Sequence, residues 1–272
     1  VAYLDEVDDA VVTAYVKRLV KEGKAPTTIE GRFVALMSLL RRNGVTRSLK
    51  VSKAHIPKIN ERMPRVYSEA TLKRLFAAAN GEERMLFEFF LGLGMREREV
   101  MHAAYGDIDW TRQTYRVSEK PDVPFFLKNH KERIVTVPTA LLAALKARHK
   151  QNPRARWIFP TKAGRPNGHL LRTLQELAFK AGMNCGKCRT KGGKLCAETA
   201  CCREFNLHDF RRTFATSHHR AGVSPRDLMA MLGHQDLKTT LRYLSAEEAG
   251  SGAAIKMVDK TWLAFASTPA AS

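Results

Sequence analysis

Between Leu207 and Leu244 the chain reads LHDFRRTFATSHHRAGVSPRDLMAMLGHQDLKTTLRYL. His208 and Arg211 stand three residues apart, His234 follows Gly233, and Tyr243 comes nine residues later. Two further groups lie upstream, Arg96 in GLGMREREV and Lys128 in FFLKNHKERIVTVP. A phenol, two guanidiniums, two imidazoles and an ammonium are the groups needed to break a phosphodiester bond without a metal. The Tyr243 phenol, with an ordinary pKa of about 10, attacks at neutral pH only beside a base or in a strongly positive setting. Arg96 and Arg211 offer rigid forks for two non-bridging phosphate oxygens. The spacing of His208 and Arg211 puts both on one helical face, where His208 could accept the tyrosyl proton or hydrogen-bond the phosphate. Gly233 permits a tight turn that carries His234 to a phosphate oxygen. Lys128 falls at a turn, from which it could protonate the departing oxygen; Lys120 and Lys131 compete for that role. Glu99, three residues after Arg96, would brace the site from the same face.

None of these groups is informative alone. A single tyrosine usually packs on a helix, a single arginine among 46 Lys and Arg is surface charge, and one histidine of nine is within chance. The combination and its spacing carry the inference. With all six present, the chain resembles the tyrosine recombinase, or phage integrase, family over nearly its whole length. That resemblance implies a site-specific DNA recombinase. Its tyrosine would form a 3'-phosphotyrosyl bond and release a 5'-hydroxyl, with a lysine on a β-hairpin as general acid and an acidic residue three positions after the first arginine, as Glu99 stands here. It also implies double-stranded DNA as partner, and a monomer or weak dimer that becomes a homo-tetramer on paired DNA sites. Accessory DNA-bending proteins would assist, and no catalytic cofactor would be required. Arg212 stands where many members have histidine, and Leu244 where a polar residue is frequent; neither removes a group the chemistry needs. The competing readings are a type IB topoisomerase and a non-catalytic DNA-binding regulator. The sequence has neither the Gly-rich loop of an ATP-driven enzyme nor a carboxylate cluster for two-metal cleavage.

The elements that must hold these groups are mostly helical. Residues 8–21 put Val11, Val12, Tyr15, Leu19 and Val20 on one face behind acidic caps. A second helix opens at Pro26 and points Ile29, Phe33, Leu36, Met37 and Leu40 inward, with Gly44 as its stop. The chain opens abruptly at Val1, as though a preceding helix were missing. The proline-bearing run 56–65 reads as a linker. Ser68 then caps a helix with Leu72, Leu75 and Phe76 on its apolar face, and EERMLFEFFLGLG belongs in the core. Strand-like runs follow at 113–118, 123–128 and 133–137, and helices at about 139–149, 169–181, 208–220, 224–232 and 236–243. The expected fold class is therefore mainly α with a small antiparallel β-sheet. The resemblance divides it into a SAM-like helical core-binding domain at 1–62, truncated at its N-terminus, and a recombinase catalytic domain at 66–272.

The 272 residues carry a formal charge of +19, which points to a polyanionic partner. Residues 120–172 hold 12 Lys or Arg against two Asp or Glu, enough to position a duplex through its phosphates without reading its sequence. Trp157, Ile158 and Phe159 within that stretch read as buried strand rather than stacking platform. No apolar run is long enough to span a membrane and no secretion signal opens the chain, so the expected location is cytoplasmic, on the nucleoid when DNA is bound. The insert CGKCRTKGGKLCAETACC holds all five cysteines. Their odd number and close spacing argue against an extracellular disulfide framework. The set has the economy of a structural zinc site, with Cys185, Cys188 and Cys196 as ligands and a fourth that spacing leaves open between Cys201 and Cys202. A cysteine-bearing branch of phage-type integrases, which the insert also resembles, favours Cys202. The competing reading is a set of free or redox-active thiols.

Overall fold

The computed structural model describes residues 3–45, 49–50, 56–58 and 65–241. The chain divides into two compact units, Val1–Arg62 and Met63–Ser272. In the first, a 3-10 turn at Leu4–Glu6 precedes helices α1 (Asp9–Lys21) and α2 (Pro26–Arg42). The Asp8 carboxylate accepts the Val11 amide proton and caps α1, a contact of about 1 kcal/mol. Val12, Val16 and Leu19 are buried against Ile29, Phe33 and Leu40 of α2. The spacing of Val12, Val16 and Leu19 is the helical repeat. It rotates Val20, expected on this face, to the solvent side, where it is 47% exposed.

The second unit runs α3 (Glu69–Ala78), α4 (Gly81–Leu93), α5 (Glu97–Met101), β1 (Ile108–Asp109), β2 (Thr114–Val117), β3 (Arg133–Thr136), α6 (Thr139–Gln151), α7 (Leu170–Lys180), α8 (Leu207–Arg220), α9 (Pro225–Leu232) and α10 (Leu237–Leu241). Ser68 caps α3, and Asn80 with Glu83 forms a reciprocal capping box at the start of α4. The centre of the core is α4 against α8. Phe87 and Phe210 stack with ring centroids 5.4 Å apart, and the Tyr67 edge meets Phe210 at 4.9 Å. Each such fully buried side chain contributes on the order of 1.5–3 kcal/mol. Trp157, Ile158 and Phe159 are all buried, as expected. Among the described residues no helix is long and apolar enough to cross a membrane.

The sheet is antiparallel in the order β1-β2-β3, with Tyr115 opposite both Ile108 and Val135. It differs from expectation in one strand. Residues 123–128 are rich in Val and Phe, yet they contribute only an isolated bridge between Lys120 and Phe125 and lead into a 3-10 turn at Lys128–His130. Pro121 and Pro124 supply no amide proton to a ladder, so the segment crosses the core as a loop while burying Phe125 and Leu127. Ile108–Asp109 supplies the third strand instead, on the other edge of β2.

Helix α4 ends at Gly94, whose φ of +60° lies in the left-handed region. A Cβ built there would stand 2.6 Å from the Phe214 ring. Gly94→Ala is therefore expected to destabilise the protein by about 1–3 kcal/mol, read as a lower urea midpoint in denaturation followed by circular dichroism.

Candidate active site

Arg96 occupies the N-cap of α5, and its backbone amide donates to Glu99 Oε2 at 2.8 Å. The Arg96 side chain bonds the same carboxylate, Nη1 to Oε1 at 2.9 Å, and reaches the Gly233 carbonyl at 3.3 Å. Glu99, 4% exposed, also receives both terminal nitrogens of Arg133, at 2.9 and 2.7 Å. Burial is the largest influence on Glu99 and would raise its pKa. The hydrogen bond and charge of Arg133, with the charges of Arg211 and Arg96, outweigh it and bring the group down to about 2.

Arg211, one turn after His208 on α8, is wholly buried. It donates to the Gly94 carbonyl at 2.6 Å and to the Leu232 carbonyl, and its Nη2 lies 3.0 Å from His234 Nε2. A guanidinium thus sits at the negative ends of two helices, α4 and α9. The other ring nitrogen of His234 meets Thr240 Oγ1 at 2.9 Å. This arrangement suits a neutral ring that accepts from Arg211 and donates to Thr240. Burial first, then the charges of Arg211, Arg96 and Arg133, push His234 down to about 3. His208 reaches solvent in the cleft, but the protein packed around it and the guanidiniums of Arg212, Arg211 and Arg96 lower it to about 4. Both imidazoles are neutral at pH 7.

The structure brings Arg96, Glu99, Arg211 and His234 into one bonded cluster, and His208 shares a cleft of about 280 Å³ with Arg96. Three guanidiniums surround a single carboxylate, so the cluster is net positive before any ligand arrives. The α8 end of the cleft is held by Tyr67. Its hydroxyl donates to the Asn206 carbonyl and accepts the Asn206 amide proton, both at 2.8 Å, while the Asn206 side chain caps the amide of His208. Lys128 is exposed on its 3-10 turn, which Glu119 ties by accepting the Leu127 amide proton at 3.0 Å. Of its competitors, Lys120 is committed to Asp107 and Ser118, whereas Lys131 is exposed. Tyr243 lies outside the described residues. Sequence reasoning missed Arg133, which reads as one more charge in K-E-R-I-V. Its only signal was that an arginine began an otherwise apolar returning strand.

In the insert, the thiol sulfurs of Cys185, Cys188, Cys196 and Cys202 lie within 4.8 Å of one another. Zn–S bonds of about 2.3 Å in a tetrahedron put sulfurs about 3.8 Å apart, and the Cys185 Sγ stands 3.4 Å from that of Cys188 and 3.7 Å from that of Cys196. Cys201 is not among the four. Its Sγ faces the Cys188 carbonyl instead, at 3.9 Å. The donor set and spacing fit a four-thiolate metal site.

The second unit is a mainly helical fold with a small antiparallel sheet, built around a buried arginine cluster. A family model described as the phage integrase family matches residues 65–249, and the chain belongs to that family. An integrase/recombinase of Escherichia coli is 25% identical over 227 residues, which cover 74% of this chain and 65% of the relative. The tyrosine recombinase XerC of Chlamydia pneumoniae is 23% identical over 251 residues, 85% of this chain and 72% of the relative. The chain therefore spans about two thirds of the length of these curated relatives. Among solved structures, the Tn1549 transposon integrase in complex with a circular intermediate DNA superposes with a TM-score of 0.71 at 16% identity, covering 94% of this chain and 86% of that one. The XerH recombinase bound to a palindromic difH substrate gives 0.65 at 15% identity, covering 95% and 71%. At these identities the likeness is one of fold.

Arg133→Met would leave Glu99 buried without its bidentate partner and is expected to cost about 3–5 kcal/mol in urea unfolding. Arg133→Lys should recover only part, because one ammonium cannot serve Glu99 bidentately and the Met231 carbonyl at once.

Proposed function

We propose that this chain is a site-specific DNA recombinase that cleaves and rejoins duplex DNA through a 3'-phosphotyrosyl intermediate on Tyr243. The observation that carries the reading is the net positive cluster in which Arg211 bonds His234 while Arg96 and His208 line one cleft. Family membership supports the same class of activity. The Tyr243 oxygen attacks phosphorus and its proton passes to His208, which is neutral at pH 7 and can accept it. Arg96 and Arg211 take the non-bridging oxygens and offset the charge of the five-coordinate transition state. His234, neutral and fixed by Thr240, steadies the Arg211 fork beside the phosphate. Lys128 gives a proton to the departing 5'-oxygen. In the reverse step a 5'-hydroxyl from the exchanged strand gives its proton to the neutral Lys128 amine as it attacks the phosphotyrosine, and the tyrosine recovers its proton from His208. The energy of the broken bond is kept in the protein–DNA link, so the chemistry calls for neither ATP nor a catalytic metal.

Residues 1–62 act as a DNA-binding module and 66–272 as the catalytic domain. The chain works in the cytoplasm as a tetramer around two DNA sites, assembled from a monomer or weak dimer with the help of DNA-bending proteins. Cys185, Cys188, Cys196 and Cys202 hold a structural zinc ion, which when bound would cross-link the insert ahead of α8.

Trapping on a nicked duplex that carries the element's terminal DNA tests the central claim. The parent chain should yield a covalent adduct, Tyr243→Phe none, and Arg211→Ala an adduct formed slower by on the order of 10²–10³. No adduct from the parent, or the same adduct from the phenylalanine variant, would defeat the reading. Metal analysis of protein purified under reducing, chelator-free conditions should find stoichiometric zinc that survives Cys201→Ser and is lost in Cys202→Ser. Its absence from the parent would leave the cysteines as free thiols.

A further inference from the structure

The cysteine insert presents more charge than a purely structural knuckle requires. Between Cys185 and Phe205 lie Lys187, Arg189, Lys191, Lys194 and Arg203, opposed only by Glu198 and Glu204. All five basic residues are exposed. Both acids are occupied locally. Glu198 accepts the Leu195 amide proton at 2.7 Å, and Glu204 pairs with Arg65 at 2.7 Å. The five exposed cations outnumber the two carboxylates, and a zinc ion on four thiolates would offset that excess only in part.

The basic face is hollow. Lys187, Arg189 and Arg203 line an open cleft of about 590 Å³ at the foot of the four-sulfur cluster, together with Cys185, Cys188 and Glu204, whose carboxylate is held by Arg65. Arg203 also lines the cleft that holds Arg96 and His208, so one side chain forms a wall of both. Its direction is set by the cluster. It follows Cys202, its amide donates to Cys188 Sγ at 3.3 Å, and its guanidinium reaches the Arg189 carbonyl at 3.5 Å. Arg189 in turn donates to the Gly193 carbonyl at 2.9 Å. Cys196 and Cys202 are buried in the main core, so the knuckle is anchored rather than suspended.

We propose that the cysteine knuckle is a DNA-binding surface whose second cleft takes backbone phosphates of the same duplex that is cut in the active-site cleft. The proposal rests on the recombinase reading and extends it to a surface outside the reacting groups. A polyanion running continuously from one cleft to the other satisfies the shared Arg203, whereas a small free anion would occupy only one of them. The contacts are to phosphate, so they add affinity and fix the position of the duplex without reading its bases. The four sulfurs hold Arg203 and Arg189 at the cleft, which makes the intact cluster a condition for binding there.

Backbone contacts are indifferent to sequence, so the probe is a random-sequence duplex of about 30 base pairs. Its affinity is measured by fluorescence anisotropy from about 50 to about 200 mM salt. The parent should show a steep salt dependence. Lys187→Ala/Arg189→Ala/Arg203→Ala should bind more weakly, with a slope shallower by about 2–3 and unchanged zinc content. The control Lys73→Ala/Arg84→Ala/Arg112→Ala removes the same charge from ion-paired sites outside both clefts and should stay near the parent slope. Lys187→Glu, on an exposed side chain that is not a sulfur ligand, should by itself weaken binding and lower the slope. A triple variant that tracks the control, or a Lys187→Glu slope equal to the parent's, overturns the proposal. A parent with no salt-dependent DNA binding instead overturns the recombinase reading on which it rests.

Discussion

Helix α9 ends with three successive carbonyls, Met231, Leu232 and Gly233, and each takes a different guanidinium: Arg133, Arg211 and Arg96. Such an end is where the helix dipole is negative and where carbonyls lack intrahelical partners. Three cations so close would repel one another, so the arrangement needs the buried carboxylate of Glu99 between Arg96 and Arg133. Gly233 is what lets the backbone turn there, with φ at +64°. A Cβ at this position would press against Arg133 at 3.1 Å. The glycine thus serves the packing of an arginine as well as the turn that delivers His234.

This arrangement explains how the chain buries cationic groups without losing its fold. Arg211 is wholly buried, but its charge is spread over two helix ends and an imidazole rather than left bare. Burial first, and then the neighbouring guanidiniums, keep His208 and His234 neutral. A neutral imidazole can accept a proton, and a protonated one beside three arginines could not.

Much of this was legible in the sequence because the chemistry restricts residue type. His208, Arg211 and His234 sit at spacings that a helix and a glycine turn convert directly into proximity, and Glu99 at three residues from Arg96 falls on the capping position of a short helix. Capping residues at Asp8 and Ser68 were equally plain, since their role depends on local hydrogen bonds alone. What was not legible depends on contacts far apart in the chain. Arg133 lies 98 residues from Met231, and its place at the start of a strand is all that marks it off from Lys131 and Glu132. The loop at 123–128 misled for a different reason. Richness in Val and Phe reports burial, and a loop crossing a core buries Phe125 and Leu127 as a strand would; the two prolines were the discriminating signal.

The cysteine insert enters the chain where its geometry has the most leverage. Five residues separate Cys202 from His208, and they hold two further anchors. Phe205 stacks on Tyr67 at 6.1 Å, and Asn206 is bonded to the same tyrosine by both its amide and its carbonyl. A loop feeding a catalytic helix is ordinarily a place of low local stability, because few apolar contacts hold it. Here the segment is fixed at one end by four converging sulfurs, two of them in the core, and at the other by an aromatic side chain from just before α3. His208 therefore inherits its position from both sides, and movement at either anchor has to pass through the cap of α8 before it reaches the cleft. That chain of contacts couples the knuckle to the site through packing alone, with no cysteine needed among the reacting groups.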